Sequence, residues 1–166
     1  MSYYVIIRGP LGIGKSTIAK ELAKLLGADY ISIDDILAEH KLDKVDPSEE
    51  CIPAKNFVKA NELVIPKVKK ELAKGKIVVF DGNFYHKEQI ENLIKSLHFE
   101  HHEFTLKAPL KTCIERDSGR KRSYGPDAAA AVYAAVSRFD YGISIDTNKK
   151  TVEQVVKDIL NYLPAR

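Results

Sequence analysis

The sequence predicts a three-layer α/β fold, a parallel sheet of five strands with helices on both faces, and three observations carry that expectation. Five short β-rich runs, residues 3–8, 29–33, 76–81, 103–107 and 142–145, alternate with helical segments, as strands joined by helical crossovers do. Gly9-Pro10-Leu11-Gly12-Ile13-Gly14-Lys15-Ser16 completes a G-x-x-x-x-G-K-[ST] pattern directly behind the apolar run Tyr4-Val5-Ile6-Ile7, the setting of a strand–loop–helix unit. The chain has 166 residues, within the ~100–200 of one domain and enough to bury a real core. Residues 1–166 are therefore read as a single domain.

The elements follow in order. Behind the glycine-rich loop, residues 16–26 place Ile18, Leu22 and Leu25 on one helix face. The second run ends in Asp34-Asp35, where Asp35 is a candidate cap for a helix beginning at Ile36. Residues 41–53 are polar, hold Pro47 and Pro53 and lack periodicity, so a surface connection or a mobile cap is expected. Residues 56–74 carry Phe57, Ala60, Val64, Val68 and Leu72 at helical spacing, with a kink expected at Pro66. Residues 88–97 (Ile90, Leu93, Ile94, Leu97) and 151–163 (Val152, Val155, Val156, Ile159, Leu163) are cleaner amphipathic helices. Residues 126–139 open with Pro-Asp and are rich in alanine, a helix start followed by a narrow apolar face.

The loop names a ligand class. Its glycines let successive backbone N–H groups turn inward around phosphate oxygens, Lys15 supplies a fixed cation, and the Ser16 hydroxyl can hold Mg²⁺. Gly12, Ile13, Gly14, Lys15, Ser16 and Thr17 are therefore the candidate phosphate contacts, with the positive end of the following helix behind them. A dinucleotide-binding turn is the nearest rival, since Asp34 and Asp35 lie about 20 residues on. It requires a third small residue where Thr17 stands and leaves Lys15-Ser16 without a task.

In open α/β sheets ligands collect at the carboxyl ends of the strands, so the residues closing each run are the next candidates. Asp34 is placed to orient an acceptor hydroxyl and accept its proton late in phosphoryl transfer. Asp81-Gly82-Asn83 closes the third run, with Asp81 where a carboxylate reaches Mg²⁺ or the substrate and Asn83 a further candidate substrate contact; the bland alternative is an Asp-Gly turn. Arg116 and Arg120 lie four apart on a predicted helix, two guanidinium groups that an anion between them would reconcile. Both are candidate catalytic residues, with Arg116 also a nucleotide contact; the alternative for Arg120 is a pair with Asp117. Arg122 and Arg138 are lesser candidates for the same closing segment. Gly119, Gly125 and Pro126 would let a lid over residues 116–127 move.

Other classes find less support. The net charge of +3 comes from interleaved Lys, Arg, Asp and Glu, with only residues 116–122 densely basic, so a nucleic-acid partner rests on that stretch alone. His98, His101 and His102 lack matching Cys or carboxylate spacing for a metal, and adjacent strand residues point to opposite faces. Cys51 and Cys113 are far apart, as reduced thiols are. No run approaches the ~18 apolar residues of a membrane span and no leader precedes the first strand. A cytoplasmic location and no membrane partner are the expectations.

In these motifs the chain resembles the small phosphate-loop kinases of the nucleoside-monophosphate-kinase-like group. The compact branch with shikimate kinase, gluconate kinase, chloramphenicol phosphotransferase, adenylylsulfate kinase and the phage polynucleotide 5′-kinase domain is the most similar. The resemblance runs over residues 9–17, 31–35, 77–83, Ala108-Pro109 with Arg116 and Arg120, and Ile145-Asp146-Thr147. It implies a strand order of 2-3-1-4-5, ATP phosphates on residues 12–17, Mg²⁺ at Ser16, acceptor activation by Asp34 and a lid bearing Arg116 and Arg120. It also implies adenine near Asp146-Thr147. Two departures, no Gly-Gly-Gly after the third strand and no Arg soon after Asp34-Asp35, remove the acceptor-specific residues of the shikimate and polynucleotide kinases.

The reading is an ATP- and Mg²⁺-dependent kinase with a small hydroxylated acceptor. A nucleotide or polynucleotide-end kinase is the first alternative. A nucleotide-binding switch with slow hydrolysis is the alternative of another class. No Asn-Lys-x-Asp element for guanine is present.

Overall fold

A computed structural model describes residues 1–121 and 123–165. Twelve elements follow one another: β1 (Tyr3–Arg8), α1 (Lys15–Leu26), β2 (Asp29–Ser32), α2 (Ile33–Glu39), α3 (Ala54–Ala73), β3 (Val78–Gly82), α4 (Lys87–Leu97), β4 (Glu100–Lys107), α5 (Leu110–Ser118), α6 (Pro126–Val136), β5 (Ile143–Asp146) and α7 (Val152–Leu160). The strands form one parallel sheet in the order β2-β3-β1-β4-β5, the order the resemblance implies.

Alternation along β1 builds the three layers. Tyr3, Val5 and Ile7 point into one core with Ile18, Leu22 and Leu26 of α1 and Val155, Val156 and Ile159 of α7. Tyr4 and Ile6 point into the other, with Ile33 and Leu37 of α2, Phe57 and Leu72 of α3, and Ile90 and Leu93 of α4. β1 is central and buried along its whole length, which is why it reads as a continuous apolar run rather than an alternating one.

Several boundaries differ from the sequence expectations for local reasons. β2 stops at Ser32 because the Ser32 hydroxyl accepts from the Asp35 N–H at 3.2 Å and starts α2 there. Ser32, not Asp35, is the cap, and Asp34 and Asp35 occupy the first helical turn, where acidic groups face the positive end of the helix dipole. α3 runs through Pro66 to Ala73. Pro66 is on the exposed face, where water can take the hydrogen bond that its ring denies the helix. β4 begins at Glu100, so His101 and His102 are strand residues and not part of an entering loop. α5 ends at Ser118 with Gly119 as its C-cap, so Arg120 falls outside the helix that was expected to carry it. Residues 41–53 form neither helix nor strand apart from a single bridge, Asp46 to Cys51. No helix among the described residues is long and apolar enough to cross a membrane.

Candidate active site

β1 delivers the chain to the carboxyl edge of the sheet, and the turn that follows is built to expose amides. Gly12 and Gly14 have φ of +76° and +91°, a region that side-chain-bearing residues rarely enter. Gly14 is the N-cap of α1 with no side-chain hydrogen bond, and the first turn of α1 holds no acidic residue. Its N-terminal donors and positive dipole end are therefore not neutralised by the chain itself. α2 and α7 contrast with it: one is capped by Ser32 and followed by two acids, the other closed by a reciprocal box between Thr151 and Gln154. Lys15 lies in the same turn, buried and without an ion pair among the described residues. Amides, dipole and ammonium together make a nest for oxyanions. Gly12 has a second constraint, because a Cβ there would stand 2.0 Å from the carbonyl oxygen of Cys113. The loop is thereby seated on α5.

Asp34 is half-buried in the first turn of α2. Burial pushes its carboxyl above the usual carboxylate range, with Asp81 and Asp35 adding to the rise and Lys15 and Arg120 opposing it. The carboxylate, the loop ammonium and the Arg120 guanidinium therefore share one electrostatic neighbourhood.

Asp81 stands one residue before the end of β3, beside Ser32, its register partner on β2. It shares the strand face of Val79, which packs with α1. Its Oδ2 accepts from the Tyr30 hydroxyl at 2.6 Å, while Oδ1 is buried and has no hydrogen-bond partner among the described residues. Burial raises the Tyr30 phenol, the bond to Asp81 raises it further, and the nearby hydroxyls of Ser16 and Ser32 ease the rise. Ser16, Tyr30 and Asp81 thus form one cluster across α1, β2 and β3. An orphaned carboxylate oxygen beside a loop hydroxyl fits a hard cation with oxygen ligands, so the donors present suit Mg²⁺. Asn83, the other substrate candidate, is buried, its Oδ1 without a hydrogen-bond partner among the described residues, and Phe84 after it holds φ at +46°. Tyr30 was missed because a tyrosine in a strand carries no motif; only its place two residues before Ser32 on the same face hinted at it.

The two arginines do not converge. Arg116 donates through Nη1 to the Ile13 carbonyl and the Thr147 hydroxyl, both at 3.3 Å, and through Nη2 to the Thr147 carbonyl at 3.2 Å. It ties the glycine-rich loop to the segment after β5 rather than pointing with Arg120 at one anion. Arg120 has its Nη1 3.6 Å from Asp117 Oδ1, the alternative weighed from the sequence, and its side chain is nearly half exposed. Asp117 is held in turn by the Ser123 hydroxyl at 2.9 Å. Arg122 lies outside the described residues. Arg138 follows α6 and forms no ion pair among the described residues.

The histidines are accounted for locally. His98 is the left-handed C-cap of α4, His101 meets Glu103 at 2.5 Å and His102 meets Glu100 at 3.3 Å. Among the described residues, no group of three or more His, Cys, Asp or Glu side chains is placed to hold a metal.

Comparison with known proteins finds relatives across the whole site. The sequence profile of the family described as AAA domain matches residues 5–140. A Pyrococcus furiosus protein provisionally named adenylate kinase is 32% identical over 167 aligned residues, covering 96% of this chain and 83% of that protein. A Thermococcus kodakarensis protein with the same provisional name is 26% identical, with 96% and 84% covered. Among solved structures, a sugar kinase from Janibacter superposes with a TM-score of 0.79 at 16% identity, covering 98% of this chain and 94% of that one. A gluconokinase from Sinorhizobium meliloti gives 0.73 at 14%, with 95% and 89% covered.

Proposed function

The chain belongs to the AAA domain family, P-loop kinases that use ATP with Mg²⁺, and from that premise we propose that it transfers the γ-phosphate of ATP to a hydroxyl of a small molecule. The observation that carries this reading is Asp34, a half-buried carboxylate in the electrostatic neighbourhood of Lys15. A carboxylate there can hold an alcohol by its proton and accept that proton as the oxygen–phosphorus bond forms. An acceptor that is itself a phosphate offers no such proton at neutral pH and is repelled by the same group.

The residues then divide the work. Amides of Gly12, Ile13, Gly14, Ser16 and Thr17 bind the phosphate chain, and Lys15 offsets charge on the transferred group. Ser16 Oγ and Asp81 Oδ1 are the atoms suited to hold Mg²⁺, which would supply charge neutralisation to the phosphates there. Arg116 keeps the loop and the Thr147 segment in fixed relation, where the base of the nucleotide would lie. Arg120, held beside Asp117 in this structure, would turn towards the acceptor as a lid over residues 116–127 closes, excluding water and favouring transfer over hydrolysis. Asn83 offers an unpartnered oxygen to acceptor hydroxyls.

A nucleoside monophosphate acceptor is the second reading, favoured by the provisional names of the Pyrococcus and Thermococcus relatives. ADP formation measured against sugars, amino alcohols, nucleosides, oligonucleotide ends and AMP separates the two. Acceleration by hydroxyl compounds supports the first reading; acceleration by AMP alone replaces it with the second.

A further inference from the structure

Tyr30 has no part in the assignments above, yet its hydroxyl makes the one hydrogen bond that Asp81 receives on its side chain among the described residues. A carboxylate on a strand end can rotate about its last bond, presenting either oxygen or both. Here the 2.6 Å bond from Tyr30 engages Oδ2 and leaves Oδ1 as the buried, unpartnered atom. Tyr30 is itself held on two sides: its ring packs against the core beneath α1, and the Lys20 ammonium of α1 stands 5.5 Å from the ring centroid. The register fixes the distance to be spanned, since Tyr30 faces Val79 and Ser32 faces Asp81 across the β2–β3 pair. The phenol therefore reaches two residue pairs further along the sheet, to the next position on the same face, and a phenylalanine would fill the same space without the bond.

We propose that Tyr30 is a positioning residue for Mg²⁺: its hydroxyl fixes the Asp81 carboxylate so that one oxygen is kept for the metal. Partners that orient a ligating carboxylate typically change metal affinity by about 10–100-fold when removed. The inference rests on the reading that Asp81 serves the metal, and the test keeps the two separable.

Mn²⁺, whose paramagnetic signal reports its bound state directly, is titrated into the protein saturated with a non-hydrolysable ATP analogue. The affinity for the analogue in EDTA is measured alongside. Tyr30→Phe is expected to weaken Mn²⁺ binding in the ternary complex about 10-fold with analogue affinity in EDTA unchanged, and Asp81→Asn to weaken it at least as much. Unaltered Mn²⁺ affinity in Tyr30→Phe, with Asp81→Asn impaired, overturns the role of Tyr30 and leaves the metal assignment standing. Unaltered affinity in both variants overturns the assignment of Asp81 and the inference together. Loss of analogue binding in EDTA by Tyr30→Phe would make the residue a support of the fold and also overturn the proposal.

Discussion

Asp34 is held where burial opposes its charge, and that opposition is measurable. Its carboxyl is raised in the folded chain from the ordinary 3.8, so the folded state holds this proton more tightly than the unfolded state. The stability it contributes is complete below the ordinary carboxylate value and is lost as pH rises through the raised one. At neutral pH this buried carboxyl group therefore lowers the stability of the protein. Asp34→Asn is expected to raise Tm at pH 7, with the gain over the unaltered protein shrinking as pH falls towards the ordinary carboxylate range. It is also expected to lower kcat by ~10²–10⁴ with ATP binding retained. The acid limb of the kcat/KM profile should lie above the ordinary carboxylate range, and retained turnover in the Asn variant would remove Asp34 from its role. Lys15→Ala is expected to abolish transfer while leaving thermal unfolding intact. Lys15, Asp34 and Asp81 were legible because each stands at a position that topology makes chemical, a strand end or the loop itself. Tyr30 and the partners of Arg116 were not, because contacts between Arg116 and Thr147, 31 residues apart, leave no local trace in sequence.

Among the elements, the glycine-rich loop is the most constrained. Gly12 combines φ of +76° with a carbonyl 2.0 Å from any Cβ, and that carbonyl belongs to α5, which has nowhere to retreat without moving Arg116. Gly75 shares the left-handed conformation, φ +85°, with nothing within 4 Å. Chemical denaturation should separate the two. Gly75→Ala is expected to cost ~1 kcal/mol from backbone strain, and Gly12→Ala clearly more, with loss of ATP binding. Equal costs would mean that the seat on α5 is not tight. Element existence and order were readable from alternation of apolar runs and helical periods. The ends were harder: Ser32-Ile33-Asp34-Asp35 holds an S-x-x-D start signal that the apolar Ile33 disguised as strand. Ser118-Gly119 holds a stop signal that the spacing of the two arginines obscured.

Across the whole molecule, Arg8 joins what the sheet brings to its carboxyl edge. It is fully buried and faces Gly82 of β3 and Thr105 of β4 in register. It donates to the Phe84 carbonyl, the Thr105 hydroxyl and the Phe139 and Val136 carbonyls, and its guanidinium stands 4.4 Å from the centroid of the Phe139 ring. Burial lowers its pKa to about 10, so it stays charged at neutral pH, beside the carbonyl end of α6 that favours a cation. Arg8→Leu would strip those carbonyls of donors at ~1–3 kcal/mol for each buried group left unpaired. A fall of ~3 kcal/mol or more in unfolding free energy is expected, and a change below ~1 kcal/mol would mean that water replaces the guanidinium at little cost. An arginine in an apolar strand announces burial but not its partners, which lie 76 to 131 residues away. The strand order was legible through the resemblance; the clasp that closes the sheet edge was not. The most direct test of the account is phosphorus-31 spectroscopy of the product formed from ATP, Mg²⁺ and the best acceptor in the panel. Besides ADP, a phosphomonoester resonance coupled to a carbon-bound proton is expected, absent with Lys15→Ala; a new phosphoanhydride formed on the acceptor, or ADP with inorganic phosphate alone, would contradict alcohol transfer.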